Sequence, residues 1–218
     1  MSDLSDLSDL GFLARLGEFA PGLSAGVKQK IDAFRELVIQ ENEVQNLTRL
    51  LSIEDFLDGH ILDCLELIKS GFLGSSCMDL GAGAGVPGIP CVLMDPRPWV
   101  LIDSELRKAD FLMRATEALQ LEQVKVFAGR AEKWLVDESI DCIVARAIGP
   151  VDRILGWIGG CSTWNKLILL KGKSWSEEWA SSQSSKARNR LRITAEHHYT
   201  AGPDLKQRTI VLLERVAR

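Results

Sequence analysis

The sequence predicts an α/β fold of the Rossmann-like class: a mainly parallel seven-stranded sheet with an antiparallel C-terminal edge, set behind an N-terminal helical extension. Three observations predict it. From residue 76 short apolar runs alternate with amphipathic stretches, the pattern of βαβ units. The first run ends in a glycine-dense turn, the place where this fold holds a ligand. The last two runs have no convincing helix between them and read as a hairpin closing the sheet edge.

Taken in order, the chain opens on an SDL repeat whose Leu4, Leu7 and Leu10, three apart, fit either the start of a helix or a frayed tail, the tail being slightly favoured. From Ser24 to Glu43 the apolar positions Val27, Ile31, Phe34, Leu37 and Val38 recur at helical spacing, and Ile53 to Ile68 does so again around His60. Residues 1–70 therefore form the helical extension packed on the core, and 71–218 the Rossmann-like domain. Within that domain CMDL, WVLID, VKVFA, IDCIVA and KLILLK read as parallel strands, with helices near 86–94, 105–119, 131–135 and 150–158. After Lys173 comes the polar stretch SWSEEWASSQSSKARNR, then the hairpin strands LRITAEHHY and RTIVLLERV.

Composition bounds the partners. A chain of 218 residues, 46% apolar and 26% charged, can bury a full core. Its 26 basic and 30 acidic residues exclude a uniformly basic nucleic-acid coat, so any such contact needs a local patch. Cys64, Cys77, Cys91, Cys142 and Cys161 form no CxxC pair; a zinc or redox site is not expected, and free thiols suit a reducing cytoplasm. The N-terminus lacks a basic region followed by an apolar run, and no stretch nears the ~20 apolar residues that cross a bilayer, so neither export nor membrane insertion is expected.

The strand ending in Asp79 runs into Gly81-Ala82-Gly83-Ala84-Gly85-Val86-Pro87-Gly88, where small residues let the backbone turn sharply and approach a ligand. Pro87 and Pro90 suit a helix's first turn. Gly83, Gly85 and Gly88 also satisfy GxGxxG, so the loop alone fits either a nicotinamide cofactor or S-adenosylmethionine. Asp103 closes the next strand, where a carboxylate accepts from ribose hydroxyls, and both cofactors carry that ribose. The dense GxGxG, with Asp79 just ahead of it and a helical preamble upstream, tilts the choice to S-adenosylmethionine. Gly129-Arg130-Ala131-Glu132 follows the third strand, where Glu132 faces an adenine or stabilises a helix start through its dipole.

Asn46-Leu47-Thr48, His60-Ile61-Leu62-Asp63, DLGAGAGVPGIP, Asp103-Ser104, Arg130-Ala131-Glu132, Ala145-Arg146-Ala147 and Leu170-Lys171-Gly172 occur in that order. Over roughly residues 30 to 215 the chain resembles the ribosomal RNA small subunit methyltransferase G family, also called the glucose-inhibited division protein B family. That resemblance implies an S-adenosylmethionine-dependent methyltransferase making N7-methylguanine in 16S ribosomal RNA, acting on that RNA or the small ribosomal subunit; a monomer is expected, although the sequence does not fix the oligomeric state. It places Gly81, Val86, Ala131, Glu132 and Arg146 at the cofactor, alongside Gly83 and Asp103. The chain departs from the family at Ala82, Val86 and Ala145, where Ser or Thr, Phe or Leu, and Ser are frequent. None of these changes removes a charge or a needed glycine.

Guanine N7 carries an in-plane lone pair and no proton, so the implied reaction needs positioning rather than a general base. No catalytic histidine or cysteine is expected, and no cysteine has the Pro-Cys or Thr-Cys setting of a cytosine-C5 enzyme. Arg146 at the fourth strand's end suits the cofactor carboxylate or a phosphate, or else an ion pair holding the strand. Arg107, Lys108 and Lys171 are candidate RNA contacts, with Arg114, Lys173, Lys186, Arg188, Arg190 and Arg192 as further members of a phosphate patch or simply a solvated face. Trp175 and Trp179 would offer one exposed apolar face, and His60 reads as a buried histidine of no assigned role. The alternatives to this function are a small-molecule methyltransferase on the same fold, a NAD-dependent oxidoreductase, or a non-catalytic RNA-binding factor.

Overall fold

The structure, a computed structural model, describes residues 5–182 and 187–216; Leu4 and Lys186 lie outside the described residues. Helix α1 (Ser5–Phe19) occupies the segment whose repeat read as a tail. Tertiary burial explains the difference: Phe12 and Leu16 are fully buried, and Phe12 packs edge-on against Phe56 with ring centroids 5.8 Å apart. Helix α2 (Ala25–Asn42) starts where the Ser24 hydroxyl accepts from Val27 N–H at 3.3 Å, and it buries Ile31, Phe34 and Val38.

The periodic stretch from Ile53 is not one regular helix. Helix α3 (Ile53–Phe56) passes through a π-helical turn (Leu57–Ile61) into α4 (Leu62–Lys69). A π-turn swings the side chains that follow it, and here it carries His60. A Cβ at Gly59 would lie 2.4 Å from Leu50 Cδ1, so the turn packs tightly on the preceding loop.

The strands are β1 (Cys77–Leu80), β2 (Trp99–Asp103), β3 (Val124–Ala128), β4 (Ile140–Arg146), β5 (Trp164–Gly172), β6 (Leu191–Ala201) and β7 (Lys206–Arg215). They form one sheet in the order β3-β2-β1-β4-β5-β7-β6. The first five are parallel, and β7 inserts antiparallel between β5 and β6. Helices α5 (Gly88–Met94), α6 (Leu106–Ala118), α7 (Ala131–Asp137) and α8 (Val151–Ile158) are the crossovers. The sequence pattern missed α9 (Trp175–Ser181), a short helix in the polar stretch, anchored by Trp175, whose indole N–H donates to Glu196 Oε1 at 2.8 Å.

Strand residues alternate between two apolar clusters. Leu101, Val144 and Ile168 join α1, α2, α5 and α6 on one face, while Val100, Ile143 and Leu167 meet α8 and Trp175 on the other. The N-terminal helices thus share a continuous core with the sheet. No helix among the described residues is long and apolar enough to cross a membrane. In this strand order the crossover direction reverses between β1 and β4, which opens a crevice at the carboxyl ends of these strands.

Candidate active site

That crevice is a cleft of about 610 Å³, a volume suited to a nucleoside-sized ligand. Gly81, Gly83, Val86, Asp103, Ala131, Glu132 and Arg146, scattered over four strand ends, all line it. Lys108 lines it as well, whereas Arg107 and Lys171 do not. The helical extension supplies a wall of Leu47, Thr48, Leu50 and His60.

The glycine turn is held by its own amides. Gly81, Gly83 and Gly85 have φ of +70°, +52° and +83°, and a Cβ at Gly85 would come within 2.7 Å of Ile89. Gly81 and Ala82 N–H both donate to Ile102 O, at 2.9 and 3.0 Å, and Gly85 N–H donates to Ala82 O at 2.7 Å. Asp103 completes the turn: Oδ2 accepts from Gly83 N–H at 2.9 Å and Oδ1 from Glu105 N–H at 2.9 Å. Each oxygen keeps a lone pair, so the same carboxylate that fixes the loop can face a ribose.

Asp79 acts behind the turn. Its Oδ2 accepts from Gly88 N–H at 2.8 Å at the start of α5, and burial pushes its carboxyl up to about 7 despite that bond and the charge of Arg146. A dinucleotide cofactor lays its pyrophosphate on free amides at this helix start. Here Asp79, Pro87 and Pro90 occupy the start and the amides of Gly81, Ala82, Gly83 and Gly85 are already bonded within the protein, so the geometry goes against a nicotinamide dinucleotide.

The far wall is tied to the sheet by one cluster. Arg146 Nε lies 3.0 Å from Asp63 Oδ2, its Nη2 donates to Gly59 O at 2.5 Å, and its Nη1 donates to His60 Nδ1 at 3.1 Å. Asp63 Oδ1 accepts from Tyr199 Oη at 2.6 Å and from Arg208 Nη1. Arg146 therefore spends three of its five N–H groups on the extension, as in the ion-pair reading, and keeps two for the cleft it lines. Sequence reasoning missed Tyr199 and Arg208 and carried Asp63 only as a letter in a motif. The spacing of His60 and Asp63 on one helical face was the available signal.

His60 is held uncharged: burial, then the guanidiniums of Arg146 and Arg208, lower its pKa from 6.5 to about 3, against a raising contribution from the Gly59 backbone. Its unfolded form binds a proton below 6.5 that the folded form refuses until about 3, so His60 costs stability as pH falls through that window. Asp79 has the opposite sign, because its folded form is protonated below about 7 and its unfolded form only below 3.8. The two contributions oppose each other between pH 6.5 and 3.8. Urea midpoints of His60→Gln relative to the unsubstituted protein should therefore rise with acidification from pH 6.5, with a limiting slope of about 1.4 kcal/mol per pH unit. A pH-independent difference between the two proteins would contradict the neutral, buried imidazole.

The remaining expected contacts are placed differently. Lys171 is turned inward, its ammonium 2.9 Å from Gly149 O and 2.7 Å from Glu178 Oε1, so it is neither a solvated lysine nor at the cleft. Arg107 is exposed and donates to Val44 O at 3.2 Å, Lys108 pairs with Glu105 at 2.8 Å, and Arg114 pairs with Glu41 at 2.5 Å. Glu132 sits in the first turn of α7, 3.5 Å from Arg130. Lys173, Arg190 and Arg192 are exposed, and the Arg188 guanidinium lies 4.3 Å over the Trp179 ring. Trp175 and Trp179 do pair, at 5.5 Å, but Trp175 is buried, so the expected exposed tryptophan face is absent.

A parallel sheet closed by an antiparallel hairpin, a glycine turn whose Gly81, Ala82, Gly83 and Gly85 amides are bonded within the protein and an acid closing the second strand define a methyltransferase of the Rossmann-like class. An O-methyltransferase from Bacillus cereus, solved with S-adenosylhomocysteine, shares the fold with a TM-score of 0.59 at 15% identity, over 94% of this chain and 97% of that one. Residues 27–209 match the GidB family, rRNA small subunit methyltransferase G, and the chain belongs to that family. Ribosomal RNA small subunit methyltransferase G of Pseudomonas paraeruginosa is 29% identical over 92% of each chain. The protein of the same name from Solibacter usitatus is 32% identical over 81% of this chain and 85% of its own.

Proposed function

We propose that this chain transfers the methyl group of S-adenosylmethionine to N7 of a guanine in 16S ribosomal RNA. The family membership carries the reaction and the RNA, and the cleft is consistent with both. The cofactor supplies an electrophilic methyl on a sulfonium. Held by Asp103, Gly81, Gly83, Val86 and Arg146, it would give that methyl to the N7 lone pair, with the C–S bonding pair staying on sulfur. No proton is exchanged, so the cleft has to align and desolvate rather than deprotonate. No cysteine lines it, and its histidine has both ring nitrogens engaged.

In this reading Asp103 takes the ribose hydroxyls; Ile102, Ala131 and Glu132 border the adenine; and Gly81, Gly83 and Val86 pass along the methionyl part, with the two spare N–H groups of Arg146 for its carboxylate. Arg107 and Lys108, consecutive at the start of α6 beside the cleft, are the proposed first phosphate contacts. The protein works as a soluble monomer on the RNA or the small subunit. Methylated-nucleotide mapping of 16S RNA from cells with and without this chain tests the assignment: N7-methylguanine should vanish from one position. Full N7-methylation in its absence refutes the target, and methyl transfer that needs no RNA would favour a small-molecule substrate.

A further inference from the structure

Thr48 faces the cleft from the loop between α2 and α3, its backbone N–H held by Asn42 Oδ1 at 2.9 Å. A hydroxyl oxygen has two lone pairs and one proton. One lone pair accepts from Leu50 N–H at 3.1 Å. The other faces His60 Nε2 at 3.1 Å, and the direction of that bond is set one residue further back. Arg146 Nη1 is 3.1 Å from His60 Nδ1, and a guanidinium only donates. Nδ1 must accept, the ring proton sits on Nε2, and His60 donates to Thr48. Both lone pairs are then filled. The Thr48 proton meets no acceptor among the described residues, and the hydroxyl confronts a ligand as a donor only.

The edge of guanine that carries N7 also carries O6, an acceptor, where adenine has an amino donor. N7 must stay bare to attack the methyl, so recognition along that edge falls to O6. Resting on the guanine-N7 reading above, we propose that Thr48 is a specificity-determining residue that donates its hydroxyl proton to O6 of the target guanine, and that His60 positions it. Adenine at the same place would set its amino hydrogens against the Thr48 proton, with no lone pair of that hydroxyl left to receive them. The arrangement also accounts for a buried histidine at the cleft wall: its two nitrogens transmit the obligate donor character of Arg146 to the hydroxyl.

The test uses the full chain with small subunits reconstituted from 16S RNA bearing guanine or 2-aminopurine, which keeps N7 and lacks O6, at the methylated position. The unsubstituted enzyme should prefer guanine by roughly tenfold or more in kcat/KM, the worth of one well-made hydrogen bond. Thr48→Val should lose about that factor on guanine and bring the two substrates close to parity, with calorimetric affinity for S-adenosylmethionine unchanged. Thr48→Ser should keep the preference. His60→Phe should narrow it, and should add little in the Thr48→Val background, because both act through one hydroxyl. A Thr48→Val enzyme that keeps the full preference overturns the proposal. So does one that loses cofactor affinity with the preference intact, which would assign the hydroxyl to the cofactor. If the unsubstituted enzyme makes no N7-methylguanine, the underlying reading falls and the O6 contact with it.

Discussion

Replacement of Asp63 by Ala should lower stability by about 3–5 kcal/mol, because it leaves two inward-facing guanidiniums without their shared counter-ion. The Asp63 side chain is 5% exposed, and the Arg146 and Arg208 side chains paired with it are 15% and 26% exposed. Removing the carboxylate strips Arg146 Nε and the Tyr199 hydroxyl of their acceptor, leaves Arg208 Nη1 only its bond to Asp58 O, and sets two like charges facing each other. For a chain of this size the loss corresponds to a fall in Tm on the order of 10 °C. Asp63→Asn should fall in between, since it keeps an acceptor and loses the charge. Thermal and urea unfolding would measure both, and a loss below about 1 kcal/mol for Asp63→Ala would show that the cluster is not what ties the helical extension to the sheet.

The second large effect concerns the cofactor. Asp103→Ala removes the acceptor of Gly83 N–H and Glu105 N–H, and with it the proposed partner of the ribose hydroxyls. A hydrogen bond to a charged group is worth about 1.5–3 kcal/mol, so the dissociation constant for S-adenosylmethionine should rise roughly 10- to 150-fold. Far-ultraviolet circular dichroism should stay unchanged, because β2 and its neighbours remain paired through their backbones. Titration calorimetry decides: an affinity within threefold of the unsubstituted protein would leave Asp103 as a strut of the glycine turn only. Asp103→Asn, which retains one acceptor for the turn, separates the two roles.

Much of the fold was legible because its signals are local. Five apolar runs became β1 to β5 within a few residues of their predicted bounds, and the final hairpin followed from the absence of a helix pattern between its strands. Where long-range burial decided the outcome, the pattern misled. The SDL repeat looked like a tail, yet Phe12 and Leu16 dock its continuation as α1; the stretch after Lys173 looked like coil, yet Trp175 and its bond to Glu196 pull it into α9. The turn at Leu57–Ile61 is π-helical in a segment whose spacing is simply helical, a distinction that periodicity at this length does not carry.

The same division runs through the site. By itself the sequence determined the glycine turn, the acid that closes the next strand, the residues after the third and fourth strands and the family they resemble, since each is a short motif at a fixed distance from a strand end. Only the tertiary structure decided what Asp79, Asp63, His60 and Lys171 do. It put Asp79 at the start of α5, where it stands in place of a phosphate, and it turned Lys171 inward onto Gly149 and Glu178. It also brought His60, Asp63, Arg146, Tyr199 and Arg208 together from five elements. The physical reason is that a charged or tautomeric side chain takes its role from its partners, and these partners are up to 145 residues away along the chain.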